Sequence, residues 1–181
     1  MAENYMTARG WIFEDERKFL YEQAVATAKR FPAPRIVNIG VEYGASLHCL
    51  RAGAPEATIY GVDLNIDKFE GDVEDFKLIK GDSSDSVTSR KVHRPVHMLF
   101  IDGDHSYDGV YQDLSRWADK VVVGGLVILH DHVESKEHPK WNPCIDEVAP
   151  ALADWLVEQP EGRWVRVDCP TSLGAIRREK E

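Results

Sequence analysis

Two rhythms of apolar residues alternate along this chain: short solid runs, and longer stretches at helical spacing. Phe13, Leu20, Ala24 and Ala28 fall near one face of a helix over 14–30, which Pro32 and Pro34 end. Arg35 to Ile39 is a short buried strand broken by Gly40 and Gly44, and a helix over 45–52 follows, closed by Gly53-Ala54-Pro55. Thr58–Val62 makes a second strand ending at Asp63, and Phe76–Ile79 a third ending at Gly81-Asp82. His97–Ile101 is a fourth, ending at Asp102. Tyr107, Val110, Tyr111, Leu114, Trp117 and Ala118 then mark one helical face. Leu126–Leu129 is the fifth strand, and Ile145, Val148, Ala149, Leu152, Trp155 and Leu156 repeat the helical pattern. Trp164–Val167 and Leu173–Ile176 read as two short strands separated by Pro170. The acidic, glycine-containing stretch between Asp63 and Phe76 holds a short helix or a loop. Strands alternating with helices and a closing pair of strands predict an α/β fold: a doubly wound, Rossmann-like sheet, mostly parallel, with an antiparallel C-terminal edge and helices on both faces.

Composition sets the bounds. With 181 residues, 43% of them hydrophobic, the chain supports one core, so a single domain is expected, with 1–34 as a helical extension and 35–181 as the sheet core. Asp plus Glu number 31 against 22 Lys plus Arg, a formal charge of −9 with no basic run, which disfavours nucleic acid as a partner. No apolar run reaches the ~18 residues of a membrane span, and the first residues lack the apolar stretch of a signal peptide. A cytoplasmic location follows as an expectation, with Cys49, Cys144 and Cys169 read as reduced thiols. Nothing in the sequence sets the oligomeric state, and a homo-oligomer stays open.

Chemistry concentrates at strand ends. The fourth strand stops in Asp102-Gly103-Asp104-His105 and the fifth in His130-Asp131-His132, so carboxylates and imidazoles meet at the rim where open α/β sheets bind their ligands. Gly40 and Gly44 sit on the first strand-to-helix turn, where the lack of a Cβ lets backbone approach a ligand. Their spacing is not that of the dinucleotide fingerprint. Asp63, at the end of the next strand, is placed to accept hydrogen bonds from a ribose diol. The bland readings are a tight turn for the glycines and a helix cap for Asp63. Asp82 and Ser83 serve equally well as base contacts or as the cap of the next helix.

These segments resemble class I S-adenosylmethionine-dependent methyltransferases, specifically the small methyltransferase 24 family. The resemblance runs over nearly the whole chain: Gly10-Trp11 through Leu20, IGVEYGAS, YGVDLN, GDSSD, FIDGDHSYDGVYQDLSRW and GGLVILHDH. The last two blocks are the specific ones. It implies that S-adenosylmethionine is the cofactor, that Gly40 and Gly44 line its methionine part, that Asp63 holds its ribose and that Asp82 with Ser83 lies near adenine. Asp102 borders the same pocket. Members of this family commonly carry an acidic residue where this chain has Asn38. Asn38 would accept from the cofactor's ammonium without full charge, and Glu42 can compensate.

For a hydroxyl acceptor the proton is the obstacle. Two carboxylates can hold a cation that lowers the acceptor's pKa, and a histidine can take the proton. The resemblance places acidic metal ligands at Asp102 and Asp131, a base at His105, and His132 where the family has a second carboxylate or amide. Imidazole suits manganese, iron, nickel or zinc, and carboxylates suit magnesium and manganese, so the expected divalent cation is magnesium or manganese with its identity open. Asp104 is a candidate outer partner, and Ser106 reads as a helix cap. The stretch 134–143 can cover the pocket and choose the acceptor. The leading expectation is a cation-assisted O-methyltransferase acting on a sugar, glycoside or other small hydroxylated metabolite. The alternatives are a metal-dependent hydrolase or oxygenase using Asp102 and Asp131, and a non-catalytic nucleotide-binding module.

Overall fold

The computed structural model describes residues 5–133, 145–169 and 172–181. Strands β1 (Arg35–Ile39), β2 (Thr58–Asp63), β3 (Lys77–Lys80), β4 (Val96–Ile101), β5 (Val121–Leu129), β6 (Trp164–Val167) and β7 (Gly174–Arg178) form one sheet in the order β3-β2-β1-β4-β5-β7-β6. The first five are parallel, while β7 pairs antiparallel with both β5 and β6. Helices α1 (Glu14–Arg30), α2 (Ala45–Gly53), α3 (Ser86–Arg90), α4 (Tyr107–Trp117) and α5 (Ile145–Val157) cover the two faces. This is the expected doubly wound architecture, with the last strand inserted beside β5 and β6 left at the edge.

Side-chain alternation divides the core. Val37, Ile39, Leu99, Ile101, Val127 and Leu129 pack with α4 and α5, and Ile36, Met98, Phe100, Leu126 and Ile128 pack with α1 and α2. Strand β5 starts at Val121, well ahead of its solid apolar run, because Val121 pairs with Val96 before a register shift near Gly124. Between Asp63 and β3 the chain makes two 3₁₀ turns, Ile66–Lys68 and Val73–Asp75, capped by the Asn65 and Asp72 side chains. The stretch 134–143, expected to cover the pocket, and Pro170 lie outside the described residues.

Register decides what reaches the rim. Ile39 pairs with Val62 and with Ile101, and Ile101 with Leu129, so the following residues Gly40, Asp63, Asp102 and His130 line one edge. The ladder continues past the strand ends: Gly40 N–H donates to Val62 at 2.8 Å, Asp102 N–H to Ile39 at 2.9 Å and His130 N–H to Ile101 at 2.9 Å.

Candidate active site

A cavity of about 830 Å³ opens over this rim, within the size range of small-molecule sites. Gly40, Glu42, Asp63, Asp82, Ser83, Asp102, His105 and Asp131 all border it. Gly10, Trp11 and Ile12, ahead of α1, form part of another wall.

The glycine loop is shaped by the chain itself. Gly40 has φ +82°, and a Cβ there would fall 1.9 Å from the Asp102 carbonyl oxygen. Gly44, the left-handed residue before α2, would drive a Cβ to 2.5 Å from the Phe69 ring. The space a side chain would need is therefore filled by protein. Gly40 still borders the cavity, while beyond Gly44 its wall is made by Ala45 and Ser46. Asp63 ties the same loop: Oδ2 accepts from the Val41 and Glu42 N–H groups at 2.7 and 3.0 Å, and Oδ1 from Asn65 N–H at 2.7 Å. Asn38 departs from its expected place. It is fully buried, donates to the Gly40 carbonyl and braces the loop from beneath, with Oδ1 unpartnered. Glu42 sits on the cavity wall in a left-handed conformation, φ +45°, with Lys68 Nζ 3.7 Å from its carboxylate. Asp82 accepts from the Ser84 N–H and hydroxyl at 2.9 and 2.7 Å, and the Ser83 carbonyl accepts from the Trp117 indole at 2.9 Å.

The charged half of the site is compact. His105 Nε2 lies 3.4 Å from Asp102 Oδ1 and 3.8 Å from Asp131 Oδ2. His130 Nδ1 lies 3.0 Å from Asp102 Oδ1 and 3.7 Å from Asp131 Oδ1. Behind it, His130 Nε2 is 3.3 Å from Glu16 Oε2, and both side chains are buried. Glu16 stands at the third position of α1, takes the Phe13 N–H at 2.8 Å and accepts from the Ser172 hydroxyl. Burial alone would raise the Asp102 carboxyl, but His130 and His105 hold it at about 2. Burial would lower the His130 imidazole, but Asp102 and Glu16 raise it well above the ordinary histidine value. Glu16 is lowered in spite of its burial, chiefly by His130. Asp131 holds a left-handed backbone, φ +50°, a strained geometry for a residue other than glycine.

His132 does not join this group, which corrects its expected place as third metal ligand. The chain turns at Asp131, so the His132 ring lies over Gly174, where a Cβ would come within 2.5 Å of it. Its Nε2 is 3.5 Å from an Arg166 guanidinium nitrogen, and burial and Arg166 both push its imidazole below the ordinary value. Asp104 accepts from Ser106 N–H at 2.9 Å, and Ser106 caps α4.

Three residues absent from the expected site belong to its surroundings. His130 and Glu16 carry the buried pair just described. Asp113, on α4, borders the cavity with its side chain buried, and neither carboxylate oxygen makes a geometrically sound hydrogen bond. Burial pushes its carboxyl up to about 7; the Ser83 hydroxyl opposes the rise, and Asp82 and Asp104 add to it.

Residues 37–132 match the family model described as a methyltransferase domain. Among solved structures, the chain is similar to the MycE methyltransferase of the mycinamycin biosynthetic pathway, solved with Mg and SAH, at 18% identity and a TM-score of 0.69. That match covers 97% of this chain and 53% of MycE, so the chain spans about half of MycE's length. An O-methyltransferase from Bacillus cereus, solved with SAH, matches at 15% identity over 97% of this chain and 85% of its own, with a TM-score of 0.68. Cofactor-bound Rv0187 from MTB matches at 15% identity over 99% of this chain and 87% of its own, with a TM-score of 0.72. At these identities the structural likeness speaks to the fold.

Proposed function

We propose that this chain, which belongs to the methyltransferase-domain family, transfers a methyl group from S-adenosylmethionine to a hydroxyl of a small acceptor such as a sugar or glycoside, assisted by a divalent cation. One observation carries this reading: His105 stands within 4 Å of both Asp102 and Asp131 at the edge of the cavity that Gly40, Asp63 and Ser83 border. The relatives support it, since MycE was solved with Mg and SAH, and also with mycinamycin VI, and the Bacillus cereus O-methyltransferase with SAH.

S-adenosylmethionine supplies an electrophilic methyl group when bound, and a divalent cation supplies the positive charge that makes a hydroxyl easier to deprotonate. The donor set fits such an ion: two carboxylates and an imidazole nitrogen crowd together at the rim, and Asp102 is kept ionised by its neighbours. Asp102 and Asp131 are the residues that would hold it. Asp63, by fixing the Val41 and Glu42 backbone, shapes the wall against which the cofactor's ribose would lie. Asp82 and Ser83 border the far end, where its purine would sit. His105 takes the proton of the acceptor hydroxyl on Nε2, the nitrogen facing the two carboxylates.

The direct test is transfer itself. Purified protein, methyl-labelled S-adenosylmethionine and a panel of hydroxylated glycosides should give a labelled ether, detected by mass spectrometry, and EDTA should abolish it. Label on no hydroxyl across the panel, or full transfer after chelation and dialysis, would contradict the acceptor class or the cation respectively.

A further inference from the structure

The buried pair behind the rim says more about the cation than the carboxylates do. Glu16 can only accept hydrogen bonds once ionised, and Phe13 N–H on Oε2 and the Ser172 hydroxyl on Oε1 hold it in place. The His130 Nε2–H therefore points at Glu16. That leaves His130 Nδ1 facing Asp102 Oδ1 at 3.0 Å; without a metal a proton on Nδ1 joins them, and a cation bound there would take that proton's place. His130 Nδ1 and the nearest Asp102 and Asp131 oxygens are 3.0 and 3.7 Å apart. Ligands sitting ~2.0–2.2 Å from one shared ion are separated by roughly 3.0–3.6 Å, so the His130–Asp102 spacing suits a common centre and Asp131 stands just beyond it. His105 Nε2 faces the same point from the more open side, and the Asp102, His105 and His130 donor atoms all lie within 4.8 Å of one another.

Resting on the reading of this rim as a cation site, we infer that His130 supplies its nitrogen ligand through Nδ1, that Glu16 is the buried positioning residue that aims it, and that the site takes a borderline cation such as manganese, cobalt or zinc ahead of magnesium. Nitrogen donors favour these ions, whereas magnesium prefers oxygen alone. A carboxylate on the far nitrogen of a ligating histidine fixes its tautomer and ring direction, and losing such a partner typically costs ~10–100-fold in metal affinity. The chain brings Glu16 from the opposite end of the sequence to do this, which ties the start of α1 to the rim.

Metal binding can be read without turnover. Protein stripped with a chelator and dialysed is titrated with Mg²⁺, Mn²⁺ and Co²⁺ by calorimetry, and the visible spectrum of the Co²⁺ form is recorded. The expected result is Co²⁺ bound at least ~10-fold more tightly than Mg²⁺. His130→Ala should lose that preference and alter the cobalt bands, His130→Glu should bring the two ions closer in affinity, and Glu16→Gln should weaken Co²⁺ by ~10–100-fold with SAH binding retained. Equal affinities in the wild type, or a His130→Ala protein with wild-type cobalt affinity and spectrum, would overturn the inference. If Glu16→Gln fails to fold, the His130 variants decide. SAH titration of the stripped protein separates the two levels: SAH binding with no cation binding overturns the metal site alone, and loss of both overturns the methyltransferase reading with it.

Discussion

At the scale of single residues, the site turns on what each ionisable group faces. His105 faces Asp102 and Asp131 across 3.4 and 3.8 Å, so its removal should be felt in the rate more than in binding. His105→Gln keeps a hydrogen-bonding side chain but cannot take up a proton; turnover should fall ~10²–10⁴-fold with cofactor affinity unchanged. A variant with near-wild-type turnover would remove His105 as the base. Asp113 gives a stability test of opposite sign to the usual carboxylate. Its folded carboxyl is pushed up to about 7 from 3.8, so the folded state holds a proton that the unfolded chain gives up as pH rises between those values. Stability should therefore fall across that window and stay low above it, by an upper bound of ~4 kcal/mol. Asp113→Asn should flatten the profile and be more stable than wild type at pH 8 in urea unfolding. Parallel profiles for the two proteins would show that Asp113 is not the group responsible.

At the scale of elements, legibility follows from what a strand or helix fixes locally. Asp102 and Asp131 were readable because each ends a solid apolar run, and His105 because it precedes a clear helical face. Side-chain alternation also held the signal for His130: Met98 pairs with Leu126 and Phe100 with Ile128, so Asp102 and His130 continue the same face. Two residues on, His132 looked equivalent, but the left-handed turn at Asp131 sends it over Gly174 instead. Glu16 was beyond reach, since its partner stands 114 residues away and its local spacing reads only as a helix cap. The same holds for Asn38, whose amide braces Gly40 rather than reaching the cavity. The two readings of Glu16 differ in magnitude. Losing a cap costs ~1 kcal/mol, whereas leaving a buried charge unpaired costs ~3–5 kcal/mol. Glu16→Ala should show the larger loss in denaturant unfolding at pH 6. Because Glu16 is lowered from 4.5 and His130 raised from 6.5, the pair's contribution is full between those values. It should decline as acid protonates Glu16, and again as alkali carries pH through the raised value of His130. A loss near 1 kcal/mol would reduce Glu16 to a cap.

At the scale of the whole molecule, the parallel strands align four loop starts on one edge, and the doubly wound order needed no local detail to be read. The insertion of β7 between β5 and β6 was less legible, because sequence adjacency suggests a hairpin but not which of its strands meets β5. The result places a cavity of about 830 Å³ between a loop pinned by Asp63 and a cluster of histidines and carboxylates. That this cavity is the cofactor's is the central claim, and calorimetric titration with S-adenosylhomocysteine tests it most directly. The wild type should bind one molecule per chain, and Asp63→Ala, verified as folded by its thermal transition, should bind more weakly by ~1–3 kcal/mol through lost polar partners. No binding by the wild type, or an unchanged affinity in the folded variant, would contradict it.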